Sequence, residues 1–216
     1  MNILVFGATG GTGRAVIARA LADGHRVTAF VRDPARMDPA PGLQVVTGDA
    51  ARADDVARAV PGHDAVVIAL GDRPGAFDWL PGRRATASSG VCAAATRHIL
   101  AAIPPGTRPR LVIVSAFGVG DTRDAAPWYY RLYLRLFLGP LMADKERQEA
   151  ALKASDADFV IVQPVGLTDA AATGDWLASP EGAIRSQLVS RGDVAAFILA
   201  TLADGGHSRA TIAFSG

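Results

Sequence analysis

The sequence that decides the fold is Ile3-Leu4-Val5-Phe6-Gly7-Ala8-Thr9-Gly10-Gly11-Thr12-Gly13. It places an apolar run before a glycine-rich turn, and apolar residues at helical spacing follow it. This order predicts a strand, a tight turn and a helix. Glycines let the backbone approach a phosphate closely, and the first N–H groups of a helix carry partial positive charge. We therefore expect phosphate contacts from six residues of the turn, namely Gly7, Thr9, Gly10, Gly11, Thr12 and Gly13.

The spacing of these glycines departs from the strict dinucleotide fingerprint. The fingerprint reads Gly-x-Gly-x-x-Gly, whereas this turn reads Gly-x-x-Gly-x-x-Gly, and the strict rule fails at Ala8. An ordinary flexible turn is the alternative interpretation. The apolar strand before the turn and the helix after it favour a pyrophosphate site.

Composition limits the classes of protein to consider. The chain has 216 residues, of which 50% are hydrophobic, and a formal net charge of +1. We expect one folded domain and, without a basic run, no nucleic-acid binding. The single cysteine, Cys92, excludes an internal disulfide and is typical of a reducing cytoplasm, and the four histidines lack metal-ligand spacing. No apolar run approaches the roughly 20 residues of a membrane span, so no membrane insertion is expected.

Apolar, β-branched runs alternate with helical patterns along the chain. The predicted strands are Asn2–Gly7, Arg26–Val31, Leu43–Thr47, Ala65–Leu70, Arg110–Ser115, Asp158–Val162 and Thr211–Phe214. This alternation predicts an α/β fold: a Rossmann-type, doubly wound, mainly parallel sheet with helices on both faces. We expect a single domain over residues 1–216, with a small substrate-cleft region over about 117–185.

An aromatic stretch follows the fifth predicted strand. Trp128–Leu138 is predicted as a helix, and Gly139-Pro140 is expected to break it. Its aromatic residues either line a substrate cleft or pack the helix against the domain. They are Tyr129, Tyr130, Tyr133 and Phe137.

The remaining segments have weaker patterns. The next predicted helix is Met142–Ser155, in which Lys145 and Glu149 are one turn apart and indicate a solvent-facing pair. Gln163–Thr173 is predicted as a loop. Residues 190–193, Ser-Arg-Gly-Asp, are predicted as the capping box of a further helix.

The residue after the second predicted strand indicates which dinucleotide is bound. An NAD site usually has an acidic residue there, whereas this chain has Arg32. A guanidinium favours a 2′-phosphate by charge and by forked hydrogen bonding, and Arg36 is expected on the other side of it. The alternative is that Arg32 only stacks on the adenine, and Asp33 would repel the phosphate if it turned inward. We therefore predict NADP(H) as the cofactor.

The end of the third predicted strand is expected to hold the adenine. Asp49 follows Gly48 there, and its carboxylate can accept a hydrogen bond from the adenine amino group. Ala50 is expected to supply a backbone contact. A helix N-cap is the alternative role for Asp49.

Several motifs together resemble the atypical short-chain dehydrogenase/reductase superfamily. They are residues 6–13, 31–34 and 48–49, Leu70-Gly71, Val114-Ser115-Ala116-Phe117, Gln163-Pro164 and residues 190–195. Over almost its whole length the chain is similar to the biliverdin-IXβ reductase/flavin reductase group and its NmrA-like relatives. The resemblance implies a Rossmann fold and an NADP(H) cofactor. It places Leu70, Gly71 and Arg73 along the cofactor, and Ser115, Pro164 and Val165 around the nicotinamide.

The chain also departs from this superfamily. Ordinary members use Tyr-x-x-x-Lys for proton transfer, but Leu141 stands four residues before Lys145. A standard carbonyl–alcohol proton relay is therefore not expected, and Lys145 either reaches the cofactor ribose or is a surface lysine. Ser115 is the expected polar contact near the hydride, unless its hydroxyl only bonds the backbone. Gly166 stands where the mammalian biliverdin reductases are expected to be bulkier, which implies a more open pocket.

These observations favour an oxidoreductase. We expect NADPH-dependent hydride transfer to a planar conjugated acceptor, flavin- or quinone-like, because positioning carries much of such a reaction. The alternatives are a non-catalytic NADP(H) redox sensor of the NmrA-like type and an epimerase- or dehydratase-like enzyme. The expected partner is a small-molecule acceptor, and the sequence predicts no particular oligomeric state.

Overall fold

The structure, a computed structural model, describes residues 1–71, 90–125, 131–132, 136 and 138–216. Several predicted features lie outside these residues. They are Arg73, most of the aromatic helix over 128–138, and its side chains Tyr129, Tyr130, Tyr133 and Phe137.

The described residues form ten strands and five α-helices. The strands are β1 Asn2–Phe6, β2 Arg26–Val31, β3 Leu43–Thr47, β4 Ala65–Ile68, β5 Arg110–Val114, β6 Phe159–Pro164, β7 Gly166–Thr168, β8 Leu177–Ser179, β9 Leu188–Ser190 and β10 Ala210–Ser215. The helices are α1 Gly11–Ala22, α2 Ala53–Ala59, α3 Val91–Ala102, α4 Gly139–Lys153 and α5 Arg191–Asp204. Within the described ranges, none of the helices has the length and apolar character to span a bilayer.

Eight strands form one sheet in the order β3-β2-β1-β4-β5-β6-β10-β8. Every adjacent pair is parallel except β10 with β8. The first six strands have the Rossmann order, in which the chain direction across the sheet reverses between β1 and β4. Ligands of such sheets bind at the carboxyl ends of the strands beside this reversal. The predicted doubly wound α/β fold is confirmed.

The side chains of β1 alternate between the two faces of the sheet and define two cores. Ile3 and Val5 pack on the face covered by α1 and α5, together with Val16 and Val194. Leu4 and Phe6 pack on the opposite face, which is covered by α2, α3 and α4. Because both faces are covered, the central strands are buried along their whole length, as parallel strands usually are.

The structure corrects the prediction around Gly139-Pro140. These residues form the first turn of α4, which Leu138 precedes as the N-cap residue. Proline is well tolerated there because the first helical N–H groups have no intrahelical acceptor. The helix therefore begins three residues earlier than the predicted Met142.

The predicted loop Gln163–Thr173 is also wrong in part. β6 extends through Gln163 and Pro164, and β7 follows directly at Gly166–Thr168. β7 pairs in parallel with β9 in a separate two-stranded sheet. β7, β8 and β9 have three residues each, too few for a hydrophobic period to appear in the sequence. The assignment of residues 117–185 to a substrate cleft stays a prediction.

Candidate cofactor-binding site

Two glycines of the turn are required by the packing of the turn itself. Gly7 follows β1 with a φ of +78°, and a Cβ there would lie 2.3 Å from the carbonyl oxygen of Ala69. A Cβ on Gly13 would lie 2.2 Å from the carbonyl oxygen of Gly7. Both clashes involve backbone atoms, which cannot move aside as a flexible side chain can. Gly7 and Gly13 therefore allow the turn to close against β4 and α1.

Gly10 leaves the start of α1 accessible. It is the N-cap residue, so no side chain caps the first N–H groups of the helix, and the first turn contains no acidic residue. A Cβ on Gly10 would meet only the carbonyl oxygen of Gly7, at 3.2 Å. The helix start is thus open to an anion from this side, as a pyrophosphate site requires.

A cavity of about 460 Å³ lies at the carboxyl ends of β1, β2, β3 and β4. Its position is the sheet reversal between β1 and β4, where ligands of Rossmann sheets bind. Nine predicted cofactor residues line it, namely Gly7, Thr9, Gly10, Arg32, Arg36, Asp49, Ala50, Leu70 and Gly71. The remaining lining residues are Ala8, Phe30, Val31, Gly48, Ala69 and Val91.

The guanidinium groups of one wall belong to the segment after β2. Arg32 and Arg36 both line the cavity and are exposed to solvent. Arg14 connects this wall to the glycine turn, because its guanidinium donates to the carbonyl oxygens of Arg36 at 2.6 Å and Thr9 at 3.3 Å. Asp33 caps a short 3₁₀ turn by accepting from the Ala35 N–H at 3.1 Å. Its carboxylate therefore has a local role, and the wall is positively charged.

The turn after β3 is held by carboxylates. The Asp49 side chain accepts from the Ala51 N–H at 3.0 Å, and the Asp49 N–H donates to Asp55 at 2.9 Å. This backbone hydrogen bond and Arg58 lower the pKa of Asp55, so its carboxylate stays charged and keeps the turn in place. Arg52, not Asp49, is the N-cap residue of α2. Asp49 thus shapes the turn that borders the cavity instead of capping the helix.

The predicted solvent-facing pair on α4 is wrong. Lys145 is 7% exposed and Glu149 is 2% exposed, because this face of α4 packs against the domain. The Lys145 ammonium donates to the carbonyl oxygens of Val114 at 2.9 Å and Leu70 at 3.3 Å. In the sequence, polar residues at helical spacing look like the exposed face of a helix. Here Lys145 and Glu149 instead hydrogen-bond to residues of other elements. Lys145 joins the carboxyl ends of β4 and β5.

Ser115 is part of a buried hydrogen-bond network. It follows β5, is 5% exposed and donates its hydroxyl to Oε1 of Glu149. Gln163 Nε2 donates to the same oxygen at 2.8 Å. Burial is the main cause that raises the pKa of Glu149, and the hydrogen bonds from Ser115 and Gln163 oppose it. The Ser115 hydroxyl therefore donates to a carboxyl oxygen, and not to the backbone oxygen that the alternative interpretation expects.

The acidic residue of this network was missed by the sequence reasoning. Oε2 of Glu149 has no hydrogen-bond partner among the described residues, and the nearest cation is Lys153, whose Nζ lies 3.8 Å away. Lys153 in turn bonds Asp121 at 2.7 Å near the surface. The only signal in the sequence was the spacing of Glu149 from Lys145 on one helix face.

Other predicted site residues lie at the same edge of the sheet but outside the cavity lining that the described residues form. Pro164 ends β6 and accepts from the Phe117 N–H at 2.9 Å, and the buried Val165 donates its N–H to Phe214 at 3.0 Å. Ser115 and Lys145 also lie outside this lining, as do Gly11, Thr12 and Gly13 of the turn. Thr12 is buried.

Gly166 lies where β7 and β9 pair closely. A Cβ on Gly166 would lie 2.9 Å from Leu188 Cδ2 and 3.0 Å from the Gln187 carbonyl oxygen. The glycine therefore permits this pairing. The more open pocket expected from Gly166 stays a prediction.

Known proteins resemble this chain in sequence and in fold. It is 30% identical over 203 residues to an uncharacterized chloroplastic protein of Arabidopsis thaliana, across 90% of this chain and 69% of the relative. It superimposes with a TM-score of 0.75 on the anaerobillin reductase ChuY of Escherichia coli O157:H7, with 27% identity over 100% of this chain and 97% of the other. A short-chain dehydrogenase/reductase of Veillonella parvula in complex with NADP shares the fold, with a TM-score of 0.77, 17% identity and coverage of 100% and 94%.

The family comparison agrees with the position of the cavity. The profile of a protein family described as NAD(P)H-binding matches residues 7–205, which include the glycine turn and the five strands β2 to β6 of the parallel sheet. The resemblance to dehydrogenases and reductases inferred from the sequence motifs is confirmed. Because the match extends over most of the chain, the protein belongs to this family of NAD(P)H-binding Rossmann proteins.

Proposed function

We propose that the protein binds NADPH and reduces a small, planar, conjugated acceptor such as a flavin or a quinone. The observation that carries this proposal is the pair Arg32 and Arg36 on the wall of the cavity that also contains the glycine turn. The turn fits a pyrophosphate, because the start of α1 is uncapped and Gly10 leaves it uncovered. The 27% identical anaerobillin reductase supports a conjugated acceptor.

The preference for NADPH rests on charge. A 2′-phosphate brings about two negative charges to the ribose, and guanidinium groups bind phosphate with paired hydrogen bonds. Arg14 adds a third guanidinium next to Arg36. The Asp33 carboxylate accepts from the Ala35 N–H and does not line the cavity. NADH has no phosphate at this position and would gain nothing from this wall.

The reduction requires a hydride and a proton. Bound nicotinamide supplies the hydride, and the protein orients the two rings. Leu141 stands where ordinary relatives have the proton-donating tyrosine, so another source is needed. Ser115 is the proposed polar contact to the acceptor, and Glu149 behind it shares a hydrogen bond with its hydroxyl. In the structure the hydroxyl donates to Oε1 of Glu149, so a relay requires this hydrogen bond to reverse. A proton on Oε1 would then pass to the Ser115 oxygen as Ser115 turns its own hydroxyl proton to the acceptor, and water would reprotonate Glu149.

A redox sensor is the second candidate, and one observation favours it. Ser115 and Lys145 are both buried and already hydrogen-bonded within the protein, so neither needs a substrate to satisfy it. A protein that only reports the NADPH concentration would need nothing more. No described feature favours the epimerase- or dehydratase-like alternative over these two.

Steady oxidation of NADPH with a panel of flavins, quinones, bilins and carbonyl compounds tests the proposal. The Gly10→Val variant is the control, because loss of cofactor binding leaves only the non-enzymatic reaction. We expect the wild type to oxidise NADPH with conjugated acceptors, and we expect the Gly10→Val variant not to do so. Tight NADPH binding without oxidation by any compound would contradict catalysis and favour the sensor.

A further inference from the structure

Arg191 is held at the start of α5 by a rigid cap. It is the first helical residue after the N-cap Ser190, whose hydroxyl oxygen accepts from the Asp193 N–H at 2.9 Å. The Asp193 carboxylate accepts from Ser190 and from the N–H groups of Thr173 and Gly174. The backbone of Arg191 is therefore fixed from both sides.

The side chain of Arg191 lies on the glycine turn. A Cβ on Gly11 would lie 2.7 Å from both Cδ and Nε of Arg191, so the stem of the arginine occupies the space that a side chain at position 11 would need. Gly11 is the first residue of α1, whose N-terminal N–H groups are expected to bind pyrophosphate. This contact connects residues 180 positions apart in the chain (191 − 11).

The partner that Arg191 has in the structure compensates its charge poorly. Its Nη1 lies 2.7 Å from Asp169, but that carboxylate side chain is 87% exposed, while the arginine side chain is 26% exposed. A guanidinium beside a helix N-terminus also meets the positive end of the helix dipole. The first turn of α1 contains no acidic residue to offset this. An anion bound between the guanidinium and the helix would therefore be stabilised by both.

We propose that Arg191 binds the pyrophosphate of the dinucleotide beside Gly11, at the start of α1. This inference rests on the proposed cofactor site and adds a residue to it. The pyrophosphate would replace Asp169 as the main partner of the guanidinium, or share it. Because NADPH and NADH have the same pyrophosphate, Arg191 contributes to the affinity for both, whereas Arg32 contributes to NADPH only.

A purely structural role makes a different prediction. If Arg191 only joins α5 to the segment of Asp169, removing either side chain has the same consequence. If Arg191 binds pyrophosphate, the two substitutions differ, because Asp169→Asn frees the guanidinium for the cofactor. Arg191→Gln keeps part of the stem on Gly11 and removes the charge, so it is the informative variant.

Calorimetric titration of NADPH and NADH into four proteins tests the proposal: the wild type, Arg191→Gln, Asp169→Asn and Arg19→Ala. Arg19 is the matched control, since it lies in the last turn of α1 and pairs with Asp23 in another exposed ion pair. We expect Arg191→Gln to weaken both cofactors by about 10- to 100-fold, the loss of one charge-assisted hydrogen bond or more. Asp169→Asn and Arg19→Ala should bind as the wild type does, or more tightly.

The salt dependence of Arg191→Gln should also be weaker than that of the wild type, because one cation no longer contacts the anion. Unchanged affinity in a folded Arg191→Gln protein would overturn the inference, as would equal losses in Arg191→Gln and Asp169→Asn. Loss of NADPH binding alone would assign Arg191 to the 2′-phosphate and also contradict it. A wild type that binds neither cofactor would instead contradict the proposed function. If Arg191→Gln does not fold, Arg191→Met, which also keeps part of the stem and removes the charge, gives the same comparison.

Discussion

Single side chains determine two properties of the proposed site, its choice of cofactor and the acidity behind Ser115. Arg32 lines the cavity and is exposed, so its charge is available to a ligand. Glu149 is almost fully buried, so its environment decides its protonation. Exposure leaves Arg32 available to a ligand, whereas burial raises the pKa of Glu149.

Arg32→Ala is expected to weaken NADPH binding and to leave NADH binding nearly unchanged. Loss of a charge-assisted contact costs about 1.5–3 kcal/mol. This corresponds to roughly a 10- to 150-fold increase in the Kd for NADPH. Calorimetric titration of the variant with both cofactors measures the difference. Equal losses for NADPH and NADH would show that Arg32 does not recognise the 2′-phosphate.

Glu149→Gln is expected to change how stability depends on pH. The pKa of Glu149 in the folded protein is raised above its ordinary value of 4.5 by burial, so the folded state favours the neutral carboxyl. This contribution is fully present below pH 4.5 and is lost as the pH rises through the higher pKa of the folded state. Glutamine stays neutral, so the Tm of the variant relative to the wild type should increase with pH. Lys153 and Asp121 also face this carboxyl and are unchanged in the variant.

Glu146→Gln is the control for this pH dependence. Glu146 lies on the same helix, but its side chain is half-exposed and pairs with Arg123. Thermal unfolding of the three proteins between about pH 4 and pH 8 covers the range in which a raised carboxyl titrates. Parallel curves for the wild type and Glu149→Gln would contradict the raised pKa.

Among the elements, the glycine turn combines two separate requirements. Gly7 and Gly13 are needed by the backbone of the turn, while Gly10 leaves the start of α1 open. A sequence pattern of glycines does not distinguish these roles. The distances to neighbouring backbone atoms do, and they separate substitutions that affect folding from those that affect binding.

Gly10→Val is expected to abolish most cofactor binding and to preserve the fold. Its Cβ would meet one carbonyl oxygen at 3.2 Å, and loss of the N-cap glycine costs on the order of 1 kcal/mol. Gly13→Ala should instead destabilise the protein by about 1–3 kcal/mol, because its Cβ would lie 2.2 Å from the Gly7 oxygen. Urea unfolding and NADPH titration of both variants separate the two effects. A well-folded Gly10→Val protein with wild-type affinity would refute the pyrophosphate assignment.

The elements with a strong hydrophobic period were predicted from the sequence, and those decided by distant contacts were not. The strands of the parallel sheet are apolar along their length, so their positions follow from composition alone. The buried face of α4 was not predictable, because Glu149 depends on Ser115 and Gln163, which belong to other strands. In the site, Arg32 follows from its place after β2, whereas Arg191 required the folded chain.

At the scale of the whole molecule, the fold brings the C-terminal helix back to the first turn of the chain. α1 and α5 pack together on one face of the sheet, and Arg191 lies against Gly11 at their N-terminal ends. The cofactor would therefore contact both early and late parts of the chain. Ligand binding to such a site stabilises the whole domain and not only one loop.

NADPH should raise the Tm of the wild type. A ligand present at about 100 times its Kd stabilises the folded state by roughly 2.7 kcal/mol. For a chain of this length that corresponds to an increase of about 5–11 °C. Thermal unfolding with and without NADPH measures it, and the Gly10→Val variant should show no increase. An unchanged Tm in the wild type at saturating NADPH would contradict binding at this cavity.

The proposed function requires the cavity at the carboxyl ends of β1 to β4 to bind NADPH in preference to NADH. Calorimetric titration of the wild type with each cofactor under identical salt and pH tests it most directly. We expect a Kd for NADPH that is roughly 10- to 150-fold lower than the Kd for NADH, because the phosphate contacts are charge-assisted. Equal affinities, or tighter binding of NADH, would contradict it.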